Sequence, residues 1–155
     1  MAVAIRRLEE HDDVQAFDCG DEPLNVGVTY VAVDDAAPRA VLGYFTLASV
    51  PRDRFPGKQV RGLPPYDLPL ILLARLAVDW RFAGRGLGHA LISEAFRISL
   101  RAADTVGCRA IVTDAYRDRV GWYARYGFVP IEGASPAGPR KMFLDLRTVR
   151  AALQR

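Results

Sequence analysis

The segment Arg81-Phe-Ala83-Gly84-Arg85-Gly86-Leu87-Gly88 carries three glycines in alternation with two arginines beside them. Glycine takes backbone conformations that other residues avoid, so several N–H groups can turn toward one point with no side chain blocking a ligand. A helix is predicted to start at the loop's end, where unpaired N–H groups and the positive dipole end favour phosphate. Arg81 and Arg85 can add charge-assisted bonds. The alternative is a glycine-rich strand–helix turn with no ligand. A Walker loop requires Gly-Lys-Ser/Thr, and neither Lys58 nor Lys141 has that context. The dinucleotide fingerprint requires GxGxxG after an early strand, whereas Gly84, Gly86 and Gly88 give GxGxG past the middle of the chain. Both nucleotide readings fail.

Other side chains offer less. His11 and His89 have no neighbours that single them out as bases, Cys108 reads as a small core residue, and Cys19 as structural. Two cysteines make neither a disulfide scaffold nor a CxxC zinc site, so a metal-free protein is expected. Arg75 is a charge inside an apolar strand. It should pair with an acid or face a cleft, where it could meet substrate phosphate.

The elements that position these residues follow from periodicity. Ala2–Leu8 and Thr29–Asp34 read as strands, with an irregular Phe17–Asn25 between them. Residues Asp34–Arg39 suit a hairpin loop leading into a strand over Ala40–Val50, and the five prolines of Pro51–Pro69 break any regular helix. Leu70–Val78 reads as a central strand. Leu87, Ala90, Leu91, Ala95 and Ile98 follow helical spacing, which predicts an amphipathic helix over 86–103. A strand over Cys108–Thr113, a helix over Asp118–Arg125 stopped by Gly127, and final strands over Phe128–Ile131 and Lys141–Leu146 complete the chain. Early strands followed by strand–helix–strand–helix–strand give a mixed α/β sheet. With 155 residues and no linker, one domain spanning 1–155 is expected.

Charge is unevenly spread. Residues 1–35 hold nine acids against Arg6 and Arg7, a net of −7, so the total of +3 leaves +10 for residues 36–155. Nineteen of the 21 basic residues are arginine, whose rigid fork of donors suits phosphate, although an arginine-favouring base composition would give the same count. No apolar run approaches a membrane span, and the start of the chain turns acidic by Glu9, unlike a signal peptide. A soluble, cytoplasmic protein is expected.

The loop Arg81-Phe-Ala-Gly-Arg-Gly86 resembles the pyrophosphate loop, Arg/Gln-x-x-Gly-x-Gly/Ala, of the GNAT superfamily of N-acetyltransferases. The strand Leu73–Val78 before it, and Arg109–Ala115 followed by Trp122-Tyr-Ala-Arg-Tyr-Gly-Phe128, are similar to that family's later segments. Phe17-x-Cys-Gly-x-x-x-Leu-Asn25, Thr29–Asp34, Leu42–Leu47 and Arg75–Asp79 resemble the acetyltransferase toxins of toxin–antitoxin modules, which acetylate the α-amino group of aminoacyl-tRNA and block translation. One departure is that only Val26-Gly-Val28 stands where the family has a helical stretch, which bears on any tRNA contacts made there.

The resemblance implies the acyl-CoA N-acyltransferase fold, a mixed, mostly antiparallel sheet flanked by helices, with acetyl-CoA as cosubstrate. It implies binding by Leu76, Ala77, Val78, Arg81, Ala83, Gly84, Arg85, Gly86, Leu87 and Gly88, and makes Tyr123 the proton donor to the departing thiolate. Without the resemblance, Tyr123 reads as a core aromatic among Trp122, Tyr126 and Phe128. Arg75, Arg81 and Arg85 are the tRNA-contact candidates. A small ribbon–helix–helix antitoxin and a homodimer are the implied partners. A missing general base is tolerable, because an α-amino group with pKa near 8 is partly neutral at pH 7, unlike a lysine near 10.4. The competing readings are an acetyltransferase for a small-molecule or protein amine, and a non-catalytic CoA- or RNA-binding module.

Overall fold

Nine residues, Leu70–Val78, form strand β4 with the bounds the sequence predicts. The computed structural model describes residues 2–10, 12, 27–65 and 68–153. The Phe17–Asn25 segment, with Cys19, and His11 lie outside the described residues. Seven strands are described: β1 (Val3–Arg7), β2 (Val28–Asp34), β3 (Ala37–Val50), β4, β5 (Ala110–Ala115), β6 (Val129–Pro130) and β7 (Arg140–Asp145). They follow the sheet order β1-β2-β3-β4-β5-β7-β6, with β4 central as expected. The β1–β2, β2–β3, β5–β7 and β6–β7 pairs are antiparallel and β4–β5 is parallel. The helices are α1 (Lys58–Arg61), α2 (Leu87–Val106), α3 (Val120–Ala124) and α4 (Leu146–Leu153). Among the described residues no helix is long and apolar enough to cross a membrane.

The chain groups into two units, Met1–Ala48 with Ala74–Ala95, and Ser49–Leu73 with Phe96–Arg155. In the first unit, β1, β2 and β3 form an antiparallel meander. Alternation along β2 sends Val31 and Val33 into a core with Val41 and Tyr44, against which Ala4, Leu8 and Ala77 pack. The Arg6 guanidinium grips the buried Asp12 carboxylate at 2.7 and 2.8 Å and donates to the Pro38 carbonyl at 2.8 Å. Strand β3 begins at Ala37, three residues earlier than predicted, because Ala37 pairs with Asp34 and shortens the hairpin turn.

Gly43 on β3 lets backbone and helix close in. A Cβ there would stand 2.9 Å from the Ala77 carbonyl oxygen and 2.9 Å from Leu91 Cδ1. The backbone oxygen cannot swing away, so Gly43→Ala is expected to destabilise by about 1–3 kcal/mol. Chemical denaturation of the variant measures this.

In the second unit, Phe55, Val60, Leu70, Ala110, Val112, Ile131 and Phe143 make the core. Strand β5 runs from Ala110 to Ala115, two residues later than predicted, since its ends are set by pairing with Asp145 through Arg140 of β7. Gly107 at φ +83 and Gly127 at φ +100 close α2 and α3, each N–H bonding back to the preceding turn. The stretch predicted to be too broken for a helix holds a 3₁₀ turn at Arg52–Arg54 and the single turn α1. Arg52 steadies them by donating to the carbonyls of Val60 and Pro64. Helix α4 corrects the expectation of a strand ending at Leu146. Asp145 accepts the Arg147 N–H at 2.8 Å, which stops β7 and starts a helix that buries Leu146 and Val149.

Candidate active site

The glycine loop lies in the first unit, between β4 and α2. Where β4 ends, Asp79 donates its N–H to the Leu42 carbonyl at 2.8 Å and caps a 3₁₀ turn over Trp80–Phe82. Its carboxylate accepts the Arg81 N–H at 3.0 Å and the Arg81 side chain at 2.6 Å. The hydrogen bond to Arg81 holds the Asp79 carboxyl below its ordinary range and raises the Arg81 guanidinium in return. This ion pair therefore persists at neutral pH and is lost only as pH falls through the depressed carboxyl value. The sequence reading gave Arg81 to phosphate without naming this partner, although an aspartate two residues upstream is the local signal for it. Arg85 has no carboxylate partner among the described residues, and its cation lies 5.4 Å from the Phe82 ring centroid.

Beyond Ala83 the backbone turns through Gly84 and Gly86, both at φ +78. A Cβ at either would meet nothing within 4 Å, so glycine is required by conformation there and the space beside the loop is open. Residues 83–86 are exposed, whereas Leu87 is buried and anchors the start of α2. Helical bonding begins when the Ala90 N–H reaches the Gly86 carbonyl at 3.0 Å, which leaves the first-turn N–H groups without acceptors in their own helix. An exposed loop of this form fits a pyrophosphate. His89 is exposed on the first turn, and Gly88 is half-buried.

On β4, the registered parallel pairing with β5 covers only Ile71–Leu73. Leu76, Ala77 and Val78 lie beyond it and are half-buried. Arg75 is also half-buried, so the charge is not sealed in an apolar core.

Tyr123 belongs to the second unit, on the buried face of α3, with only 8% of its surface exposed. Its ring meets Trp122 edge-on at 5.0 Å and Phe128 at 5.5 Å. Its hydroxyl finds Thr113, whose own hydroxyl donates to the Leu73 carbonyl at 2.8 Å. Burial pushes the phenol above its ordinary value, while Thr113 and the Arg119 charge pull the other way. Thr113 is a neighbour the sequence reading missed, because only tertiary pairing brings β5 to α3. Tyr126, one turn along, packs on Trp122 and Phe96 instead. Cys108 is buried and burial pushes its thiol up, in keeping with a small core residue.

Residues 25–130, two thirds of the chain and inclusive of both the loop and Tyr123, match the acetyltransferase (GNAT) domain. The chain belongs to the GNAT acetyltransferase family. A curated relative, the tRNA-acetylating toxin of Mycobacterium tuberculosis, is 32% identical, with 97% of this chain and 96% of the relative aligned. The solved structure of AtaT complexed with acetyl-methionyl-tRNAfMet is 25% identical and superposes with a TM-score of 0.78, covering 98% of this chain and 99% of that one. A variant of AtaT bound to the C-terminus of the antitoxin AtaR is 22% identical, with a TM-score of 0.75 and 99% of each chain covered. The GNAT fold is thus the fold of the described sheet and helices, as the glycine loop and its order in the chain led one to expect.

Proposed function

We propose that this GNAT protein transfers the acetyl group of acetyl-CoA to the α-amino group of an aminoacyl-tRNA and so acts as a toxin that blocks translation. The observation that carries this reading is the likeness, over nearly the whole of both chains, to a tRNA-acetylating toxin. Acetyl-CoA supplies the thioester, and the remaining requirements fall on the chain. The loop residues Arg81, Ala83, Gly84, Arg85, Gly86, Leu87 and Gly88 hold the pyrophosphate through backbone N–H groups and the Arg85 cation. Backbone groups of Leu76, Ala77 and Val78 pair with the pantetheine arm, and their N–H donors meet the developing oxyanion, a contact worth roughly 3 kcal/mol in acyl transfer. Tyr123 holds the proton that the departing thiolate takes. A phenol still holds its proton at pH 7; giving it to a thiolate whose acid has pKa about 8.5 is uphill, and the step balances because the proton shed by the acylated amine returns to the Tyr123 oxygen.

Residues 1–155 act as one catalytic domain in the cytoplasm, as a homodimer, restrained by a small ribbon–helix–helix antitoxin. Arg75, Arg81 and Arg85 meet tRNA phosphates wherever acetyl-CoA leaves them free. The +10 carried by residues 36–155 supports a polyanionic substrate.

The test incubates the enzyme with labelled acetyl-CoA and, separately, charged tRNA, free amino acids, polyamines and a lysine peptide. Label is expected on charged tRNA. That activity should fall steeply with salt, each phosphate contact contributing a slope of about −0.7 to −0.9 in log K against log salt. Label on the peptide or polyamine and none on tRNA would replace this reading with a small-amine or protein acetyltransferase.

A further inference from the structure

Trp80 is 83% exposed, the most exposed large hydrophobic side chain among the described residues. Leaving an indole in water forgoes the burial that normally places tryptophan inside a protein. The backbone beneath it is nevertheless fixed: Asp79 caps the turn it opens, and its carbonyl accepts the Ala83 N–H at 3.3 Å. Two residues on, the Phe82 ring has the Arg81 and Arg85 cations 5.9 and 5.4 Å from its centroid. Residues 80–85 thus carry two aromatic residues and two guanidinium groups within one short stretch, with Arg81 paired to Asp79 and Arg85 without a carboxylate partner among the described residues.

We propose that Trp80, supported by Phe82 and Arg85, is a stacking platform for an unpaired base of the nucleic-acid substrate, at the single-stranded 3′ end that every tRNA carries. Flat π-faces beside cations are the combination that holds single-stranded nucleic acid, the rings taking the bases and the cations the phosphates. An apolar protein segment suits the patch less well, because covering it would desolvate the Arg85 charge with nothing opposite. The inference rests on the tRNA reading for its ligand. Trp80 itself needs only a base.

The chain has two tryptophans, so Trp122→Phe leaves Trp80 as the sole indole reporter. Its fluorescence is titrated with the trinucleotide CCA and, separately, with adenosine 3′,5′-bisphosphate, which represents the nucleotide end of CoA. Saturable quenching by CCA is expected. In the otherwise unaltered chain, Trp80→Ala should raise KM for aminoacyl-tRNA about tenfold while KM for acetyl-CoA moves less than twofold, and Trp80→Phe should restore most of the loss. Quenching by the bisphosphate alone, with KM for acetyl-CoA raised, would hand Trp80 to the cosubstrate and overturn the assignment. Lost affinity for a partner protein with CCA titration flat would overturn it too. If charged tRNA is acetylated but CCA leaves the fluorescence unchanged, only the platform fails. If CCA quenches but charged tRNA is not acetylated, the platform stands and the substrate reading fails.

Discussion

Tyr123→Phe is expected to bind acetyl-CoA like the parent and to turn over about 100-fold more slowly or worse, the scale on which loss of a general acid acts. Phenylalanine keeps the ring that meets Trp122 and Phe128, so the aromatic packing survives. Only the hydroxyl is lost, and Thr113 still donates to the Leu73 carbonyl without it. The pH dependence follows from burial. Because burial lifts the phenol above its ordinary value near 10, the proton stays on Tyr123 throughout the neutral range, and its loss limits activity only on the alkaline side. The same shift favours the folded state below the unfolded tyrosine's pKa, and that contribution fades as pH rises through the higher folded value. A kcat profile across neutral and alkaline pH, together with acetyl-CoA binding by calorimetry, reads both effects. A large loss in Tyr126→Phe with none in Tyr123→Phe would place the acid one turn further on, just past α3, where Tyr126 packs against Trp122 and Phe96.

How much of the structure the residues alone reveal depends on how local its cause is. Strand β4 was legible to the residue, since a run bounded by Pro69 and apolar but for Arg75 has few other uses. The start of α2 was legible from the loop before it, and its true end at Val106 was set by Gly107. Helix α1 was not legible, because the Arg52 bonds to Val60 and Pro64 that steady it join residues eight and twelve apart. The start of α4 was written locally, as an aspartate cap before Leu146 and Val149, but β-like residues just upstream masked it. In the site, the glycines revealed the loop's position, and Asp79 was close enough to have been named as the partner of Arg81. Thr113 beside Tyr123, and the exposure of Trp80, are products of tertiary structure and leave no trace in spacing.

Gly86→Glu should abolish the rise in melting temperature that acetyl-CoA gives the parent through ligand linkage, a rise that NAD and ATP should not give. Two effects act in this variant and can be separated. At φ +78 any side chain strains the backbone, at a cost of roughly 1–2 kcal/mol. Strain of that size lowers the melting temperature with or without ligand. The second effect is specific to the carboxylate, which would place bulk and negative charge where the pyrophosphate oxygens are to sit, against the polarity of the helix start. Gly86→Ala distinguishes them, because a Cβ at this position meets nothing within 4 Å and so adds strain without obstruction. The alanine variant is expected to melt lower than the parent yet still respond to acetyl-CoA, and the glutamate variant to melt lower and not respond. Arg85→Glu reverses charge on the same loop without touching a positive-φ residue, so it should weaken the response with little change in the unliganded melting temperature. A glutamate variant that responds like the parent would remove the pyrophosphate from this loop altogether.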